Sequence, residues 1–346
     1  MMNRRSFIWL GLAALAFASV AYLSPAPAPA ADDADSVTLG YFANVTHAQA
    51  VLGVASGDFQ KALGGVQLKT KVFNAGPELI QALNAGAIDI GYVGPGPTIA
   101  AFAQSHGESI RVISGVAANG VVIVAGKDSG INSMKDLAGK RIATPQLGNT
   151  QDVSARHYVM SVLGQADANN VLPVPNSQQA GMMARGDIDA AWVPEPWGAR
   201  LIAEAGAKLI GEEKDLWPDH EFSLTVIVTT PEFLAQHRDI VEKLLAAHRL
   251  ETTKLQTDPG SQEKSLGDAL KQLTGKRLPA SVLHDSLART KFTNDALPET
   301  FKTMAHWSAQ EKFIKHVPDL TKLFDTSIMS AGSSAGGSAS TGQGTP

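Results

Sequence analysis

Polar and apolar residues alternate with period two over 36–41 (SVTLGY), and the spacing then becomes helical at Ala48, Val51, Leu52 and Ala55. The change of period across Phe42-Ala43-Asn44-Val45-Thr46-His47 marks a strand, a turn and a helix. The same passage recurs along the chain. Residues 66–73 read as a second strand, and a helix opened by Pro77 closes at Asn84-Ala85-Gly86 with a glycine cap. The apolar run 88–93 (IDIGYV) has the composition of a buried parallel strand, which passes through Gly94-Pro95-Gly96-Pro97-Thr98 into an apolar helix at 99–103. A strand at 110–116 ends in Ala117-Ala118-Asn119-Gly120, and 121–125 begins a new unit with a short helix at 133–137. Then come a strand at 141–143, a turn at 144–148 and a helix from Asn149-Thr150 to 163. A weak strand at 171–174 and a helix at 178–184 lead to a strand at 188–193, which ends in Pro194-Glu195-Pro196-Trp197-Gly198. The β-branched run 223–229 is a further strand, and from Pro231 the pattern is mostly helical, at 240–254, 262–273, 279–288 and 298–314.

Ala85-Gly86-Ala87-Ile88-Asp89-Ile90 recurs as Ala184-Arg185-Gly186-Asp187-Ile188-Asp189-Ala190. Each time a helix closes on glycine and an Ile-Asp strand delivers a proline-rich loop. The pattern predicts two α/β lobes of like architecture rather than a repeat of fixed period.

The N-terminus departs from this pattern. Asn3-Arg4-Arg5-Ser6-Phe7-Ile8 resembles a twin-arginine start, 7–23 is apolar, and Ala26-Pro27-Ala28-Pro29-Ala30 offers small residues for cleavage. Residues 1–30 therefore read as an export signal. Its removal takes two arginines and no acid, changing the net charge from −4 to −6. The apolar run is short for a membrane span and is followed at once by Pro and Ala. Residues 331–346, rich in Gly, Ser, Ala and Thr, read as a disordered tail. No basic block stands out, which argues against nucleic acid as a partner. The absence of cysteine excludes disulfides, zinc thiolates, cysteine nucleophiles and a lipid-modified N-terminal cysteine.

Where a strand runs through a glycine turn into a helix, unpaired N–H groups and the helix dipole converge on one spot and favour an anion. The chain has this device at Gly94, Pro95, Gly96 and Thr98, and again at Gly148, Asn149, Thr150 and Gln151. The plainer alternative makes Asn149 or Thr150 an N-cap, just as Asn44 or Thr46 could simply cap the first helix. His47, His106, His157 and His220 are scattered, with neither metal spacing nor a nucleophile elbow beside them.

Taken in order, Leu39-Gly40-Tyr41, the stretch 85–97, Thr144-Pro145-Gln146-Leu147-Gly148-Asn149-Thr150-Gln151 and Trp192-Val193-Pro194-Glu195-Pro196-Trp197 resemble periplasmic solute-binding proteins of ABC importers. The resemblance is to the nitrate, sulfonate, taurine and bicarbonate group, nearest the aliphatic sulfonate binders, and spans 37 to about 324. It implies a type II periplasmic binding protein fold, with two lobes joined by two crossover strands near 122–125 and 226–229 and the ligand in the cleft between them. Lobe 1 would comprise 31–123 and 227–330, and lobe 2 would comprise 124–226. The implied lining is Asn44, Thr46, His47, Gly94, Pro95, Gly96, Thr98, Asn119, Gly148, Asn149, Thr150, Gln151, Glu195 and Trp197, with the ligand's tail toward Trp197 and Tyr41. These segments hold no Arg or Lys, which suits a weakly basic oxyanion met by amides and hydroxyls. Gln146-Leu147-Gly148-Asn149-Thr150-Gln151 stands where many sulfonate binders have a serine-rich loop. The cysteine-rich signature of relatives that bind a thiamine-precursor pyrimidine is absent. Glu195 could be a structural carboxylate, pair with Arg200 or His47, or receive an ammonium group as in taurine. The implied function is a monomeric periplasmic binder, without cofactor, metal or catalytic residue, that hands a small anion to an inner-membrane permease. The competing readings are an exported enzyme on the same scaffold and a ligand sensor.

Overall fold

A computed structural model describes residues 35–325 and 327–328 of the chain. The export signal and the tail from 331 lie outside these residues. The strands are β1 (Ser36–Phe42), β2 (Gln67–Phe73), β3 (Ile90–Val93), β4 (Arg111–Asn119), β5 (Val121–Ala125), β6 (Ile142–Thr144), β7 (Val171–Pro173), β8 (Ala190–Pro194), β9 (Lys208–Glu212), β10 (Ser223–Thr229) and β11 (Thr290–Phe292). The helices are α1 (Ala48–Ala55), α2 (Asp58–Leu63), α3 (Gly76–Asn84), α4 (Pro95–Gln104), α5 (Thr150–His157), α6 (Asn176–Arg185), α7 (Trp197–Ala205), α8 (Pro231–Gln236), α9 (Arg238–Thr257), α10 (Pro259–Thr274), α11 (Ala280–Arg289) and α12 (Pro298–Gln310).

The strands form two sheets, ordered β11-β4-β10-β3-β1-β2 and β7-β6-β8-β5-β9. They are built on one plan. In the first sheet β1 lies parallel to β2 and β3, and antiparallel β10 separates β3 from β4. In the second, β6 lies parallel to β7 and β8, and antiparallel β5 separates β8 from β9. Ligand sites in such sheets form beyond the carboxyl ends of the parallel strands, and these are the turns after β1, β2, β3, β6, β7 and β8. Buried Val37, Leu39 and Ile90 of the first sheet pack under α1 and α9, and buried Val122, Val124, Ala191 and Val193 of the second pack under α6 and α7.

The chain changes sheet at Asn119 and Gly120, both at positive φ (61° and 73°), and again between β9 and β10. The segments expected to cross, 122–125 and 226–229, instead lie inside β5 and β10, each bonded wholly to one sheet. A β-branched run has the same appearance whether it crosses or stays. Helix α4 begins at Pro95 rather than at 99, because proline in a first turn gives up only N–H groups the helix leaves unpaired. Helix α5 ends at His157 and widens into a π-turn over Tyr158–Val162. Helices α2 and α7 and strands β9 and β11 were not anticipated; each is short, at nine residues or fewer. Among the described residues no helix is long and apolar enough to cross a membrane.

The second connection is anchored by aromatic packing. Trp217 stacks on Phe222 with ring centroids 5.1 Å apart, and lies 4.5 Å from Trp307 of α12. At its start, fully buried Glu213 accepts from Ser154 Oγ (2.6 Å), Trp192 Nε1 (2.6 Å) and Trp217 Nε1 (3.3 Å). Burial pushes the Glu213 carboxyl up to about 7, against the pull of these three donors. Because this lies above the unfolded value, Glu213 contributes stability below about pH 4 that is lost as pH rises to 7. Glu213→Gln cannot ionise. Its stability relative to the natural chain should rise across that window, by on the order of 3 kcal/mol at most. Denaturant titrations at several pH values test this, and a difference constant with pH would refute it.

Candidate functional site

The first turns of α4 and α5, which follow β3 and β6, meet face to face. Gly96 N–H donates to Thr150 Oγ1 at 3.1 Å. A Cβ on Gly94 would lie 2.3 Å from that oxygen, and one on Gly96 would lie 3.0 Å from Thr150 Cα, so only glycine permits this approach. The N-cap of α5 is Asn149, whose side chain makes no capping bond. Thr150 therefore spends its hydroxyl oxygen on the other lobe rather than on its own helix. The turn before α5 is braced by buried Asp152, which accepts from Thr144 Oγ1 (2.8 Å), Gly148 N–H (2.9 Å) and Arg156 Nε (3.0 Å).

Beside this contact lies a narrow cavity of about 20 Å³, room for roughly one water. Larger solutes enter only if the lobes part. Asn44, Thr46 and His47 line it from the turn after β1, Asn74 from the turn after β2, and Gly94 from the turn after β3. From the second lobe come Asn149, Thr150 and Gln151 after β6, and Asn176 after β7. Phe42, Pro145, Pro194, Leu224 and Thr225 complete the wall, which contains no Lys, Arg, Asp or Glu.

Four of these groups are fixed as donors by what they already accept. Trp197 Nε1, which can only donate, reaches Asn44 Oδ1 at 2.9 Å, leaving the Asn44 amide hydrogens free. Gln179 Nε2, oriented by its bond to Val174 O (2.9 Å), donates to Asn176 Oδ1 (3.2 Å), so Asn176 likewise presents its NH₂. Phe42 N–H donates to His47 Nδ1 at 3.3 Å, so the ring carries its proton on Nε2. Burial takes His47 down to about 3, and the ring is neutral in any ordinary buffer. Thr150 Oγ1 accepts from Gly96 N–H, which leaves its hydrogen to give. Asn149 Nδ2 donates to Gln151 Oε1 at 3.0 Å, and this pair keeps one amide group and one carbonyl oxygen available.

Of the anticipated residues, Asn44, Thr46, His47, Gly94, Asn149, Thr150 and Gln151 line the cavity. The rest do not. Pro95 and Gly96 form the first turn of α4 behind it, and the Thr98 hydroxyl turns back to Gly94 O at 2.9 Å. Asn119 bonds the backbone of His220 and Phe222 at the sheet change, and Gly148 sits against Phe313. Tyr41 is buried in the core of the first lobe. Trp197 acts on Asn44 from outside the wall, with Arg200 over its ring at 4.6 Å. Glu195 is fully buried and committed to Arg289 Nη1 (2.8 Å), Ala199 N–H (3.0 Å) and Ser286 Oγ (3.2 Å). Burial pushes its carboxyl up and these partners pull it back. Asn74, Asn176 and Thr225 were not anticipated. Asn74 and Asn176 hold matching places after the corresponding parallel strands β2 and β7, as Asn44 and Asn149 do after β1 and β6, and that correspondence was the available signal.

Residues 30–266 match the profile of the NMT1-like family. A binding protein of Brucella abortus (strain 2308) is 28% identical over 247 residues, covering 71% of this chain and 72% of its own. The taurine-binding periplasmic protein of Escherichia coli (strain K12) is 27% identical over 215 residues, 60% of this chain and 62% of its own. The solved alkanesulfonate-binding protein of Xanthomonas axonopodis pv. citri, bound to MOPS, superposes with a TM-score of 0.68 at 21% identity, covering 85% of this chain and 98% of that one. The fold is therefore the two-lobe periplasmic binding fold that the sequence led us to expect, and these relatives are binding proteins.

Glu195 follows a strand of the second lobe, and Arg289 ends a helix that leads into the first sheet, so their pair ties the two together. Arg289→Met would leave a buried carboxylate without its cation, a loss of roughly 3–5 kcal/mol. Thermal melts should show a large drop, mostly recovered in Arg289→Met/Glu195→Gln. A melt unchanged by the single substitution would contradict this role.

Proposed function

Since the chain belongs to the NMT1-like family, its residues 30–266 matching that profile, we propose that it is the solute-binding component of an ABC import system and captures a small, fully deprotonated oxyanion, an aliphatic sulfonate foremost. The observation that carries this reading is the set of fixed donors at Asn44, His47, Thr150 and Asn176 around a cavity without charged residues. Neutral donors suit an anion that never takes up a proton at ordinary pH. The names of the taurine and alkanesulfonate binders support the same ligand class.

The wall also separates members of that class. Taurine carries an ammonium group, which would need a carboxylate in the cleft, and bicarbonate an O–H, for which the Asn149–Gln151 pair keeps a neutral carbonyl oxygen in place of the donors an oxyanion uses. Glu195 is engaged by Arg289 and is no longer available to either. A simple alkanesulfonate or nitrate makes no such demand. The protein acts as a binder rather than an enzyme. It works in the periplasm as a monomer after export by the twin-arginine route, and it hands its solute to a membrane permease.

A thermal-shift screen of methanesulfonate, ethanesulfonate, taurine, nitrate, bicarbonate and sulfate tests the proposal. Ethanesulfonate at a hundredfold excess over its Kd would stabilise the fold by about 2.7 kcal/mol, with taurine and bicarbonate weaker. The reading fails if no anion stabilises the protein, or if taurine is preferred. Thr150→Ala should weaken ethanesulfonate by about 1.5–3 kcal/mol in calorimetric titration and leave the melt in place. A lowered melt with intact affinity would instead make Thr150 a structural residue.

A further inference from the structure

The four fixed donors are held in two different ways. His47 and Asn176 owe their orientation to Phe42 and Gln179, neighbours in their own lobes. Asn44 and Thr150 owe theirs to bonds that cross the cleft. Asn44 follows β1 of the first sheet, and the indole that holds its oxygen belongs to Trp197, in the first turn of α7 after β8 of the second. Thr150 opens α5 in the second lobe and accepts from Gly96 of α4 in the first. With the lobes apart, both oxygens are released. The Asn44 carboxamide then turns freely and the Thr150 hydroxyl accepts as readily as it donates.

Resting on the anion reading above, we propose that Trp197 is a specificity-determining positioning residue, and that closing the lobes imposes donor polarity on the site. In the open form Asn44 and Thr150 greet a donor or an acceptor alike. Closure takes up both of these oxygens, so that Asn44 and Thr150 turn only hydrogens toward the solute, while the carbonyl oxygen of the Asn149–Gln151 pair is unaffected by it. An anion gains from this step, whereas a neutral solute of the same shape bearing an N–H meets hydrogen against hydrogen. Discrimination thus arises in the closing step rather than in first contact, by turning acceptors away from the wrong ligand. Trp197 suits the task because indole N–H has no acceptor role, and because Arg200, stacked over the ring at 4.6 Å and held by Glu204 at 2.9 Å, limits its rotation.

The probes are ethanesulfonate and ethanesulfonamide, near-isosteres in which one anionic oxygen is replaced by a neutral NH₂. Calorimetric titration of the natural protein should favour the sulfonate strongly. Trp197→Phe keeps a ring in place and removes the N–H, so the ratio of the two affinities should fall by about tenfold or more while the melt stays put. An unchanged ratio overturns the proposal. Equal weakening of both probes also overturns it, because Trp197 would then add only to the strength of closure. If Trp197→Phe does not fold, Asn44→Asp decides. One carboxylate oxygen keeps the indole bond and the other faces the cavity, so ethanesulfonate binding should fall by at least about a hundredfold while ethanesulfonamide is retained. Undiminished sulfonate binding by that variant overturns the proposal. Failure of the natural protein to bind ethanesulfonate or any anion of the screen would overturn the functional reading itself, and is distinguishable because it precedes any substitution.

Discussion

The contact between Gly96 N–H and Thr150 Oγ1 joins the two halves of the molecule directly through their facing helix N-termini. It depends on two glycines without side chains and on a helix whose first residue points its hydroxyl outward instead of back onto its own turn. The remaining site is arranged around this approach. The braces at Asp152 and Arg156 hold the turn that presents Thr150, and the prolines of α4 begin the facing helix early enough to meet it. The charge of Asp152, unfavourable next to an anion, is offset by Arg156 at 3.0 Å within the same helix.

Each lobe contributes asparagines at matching places, after β1 and β2 in one sheet and after β6 and β7 in the other, and the cavity is the space where these sets converge. A carboxamide is an ambiguous group with a donor and an acceptor at one end. Structure resolves the ambiguity by engaging one of the two: an indole does so for Asn44 and a buried glutamine for Asn176. Polarity in this site is therefore a property of neighbours as much as of the lining residues. A composition of neutral side chains can in this way do what a lysine or arginine would otherwise do, with less dependence on salt.

Much of the architecture was legible in the sequence because periodicity survives folding. The alternation at 36–41 and the amphipathic helix at 240–254 fall within observed elements, and the apolar run at 88–93 contains β3. The first residues after β1 and β6 were legible as well, since a strand, a glycine or polar turn and a helix fix where side chains emerge. Glu195 and Trp197 show the limit. Both belong to a distinctive motif, yet one faces Arg289, 94 positions away, and the other faces Asn44, 153 positions away. No local pattern encodes such a partner. Asn74 and Asn176 were hidden for another reason: an asparagine after a strand reads as ordinary turn chemistry until the two lobes are laid over one another.

The placement of the antiparallel strands has a consequence for how the chain assembles. In the second sheet β5 precedes the strands it joins, so all five strands come from the continuous stretch 121–212 and can pair as soon as it is synthesised. The first sheet has no such freedom. Strands β3 and β4 have a gap between them that only β10 fills, and β10 is made after the whole second sheet. Until then two strand edges stand open, and the strand that closes them is the fully buried run Ser223–Thr229, SLTVIVT, whose composition favours pairing with any exposed edge. The order of synthesis therefore lets the lobe without the termini fold first and makes the other wait on a contact distant in sequence, the slow step for a chain of this topology.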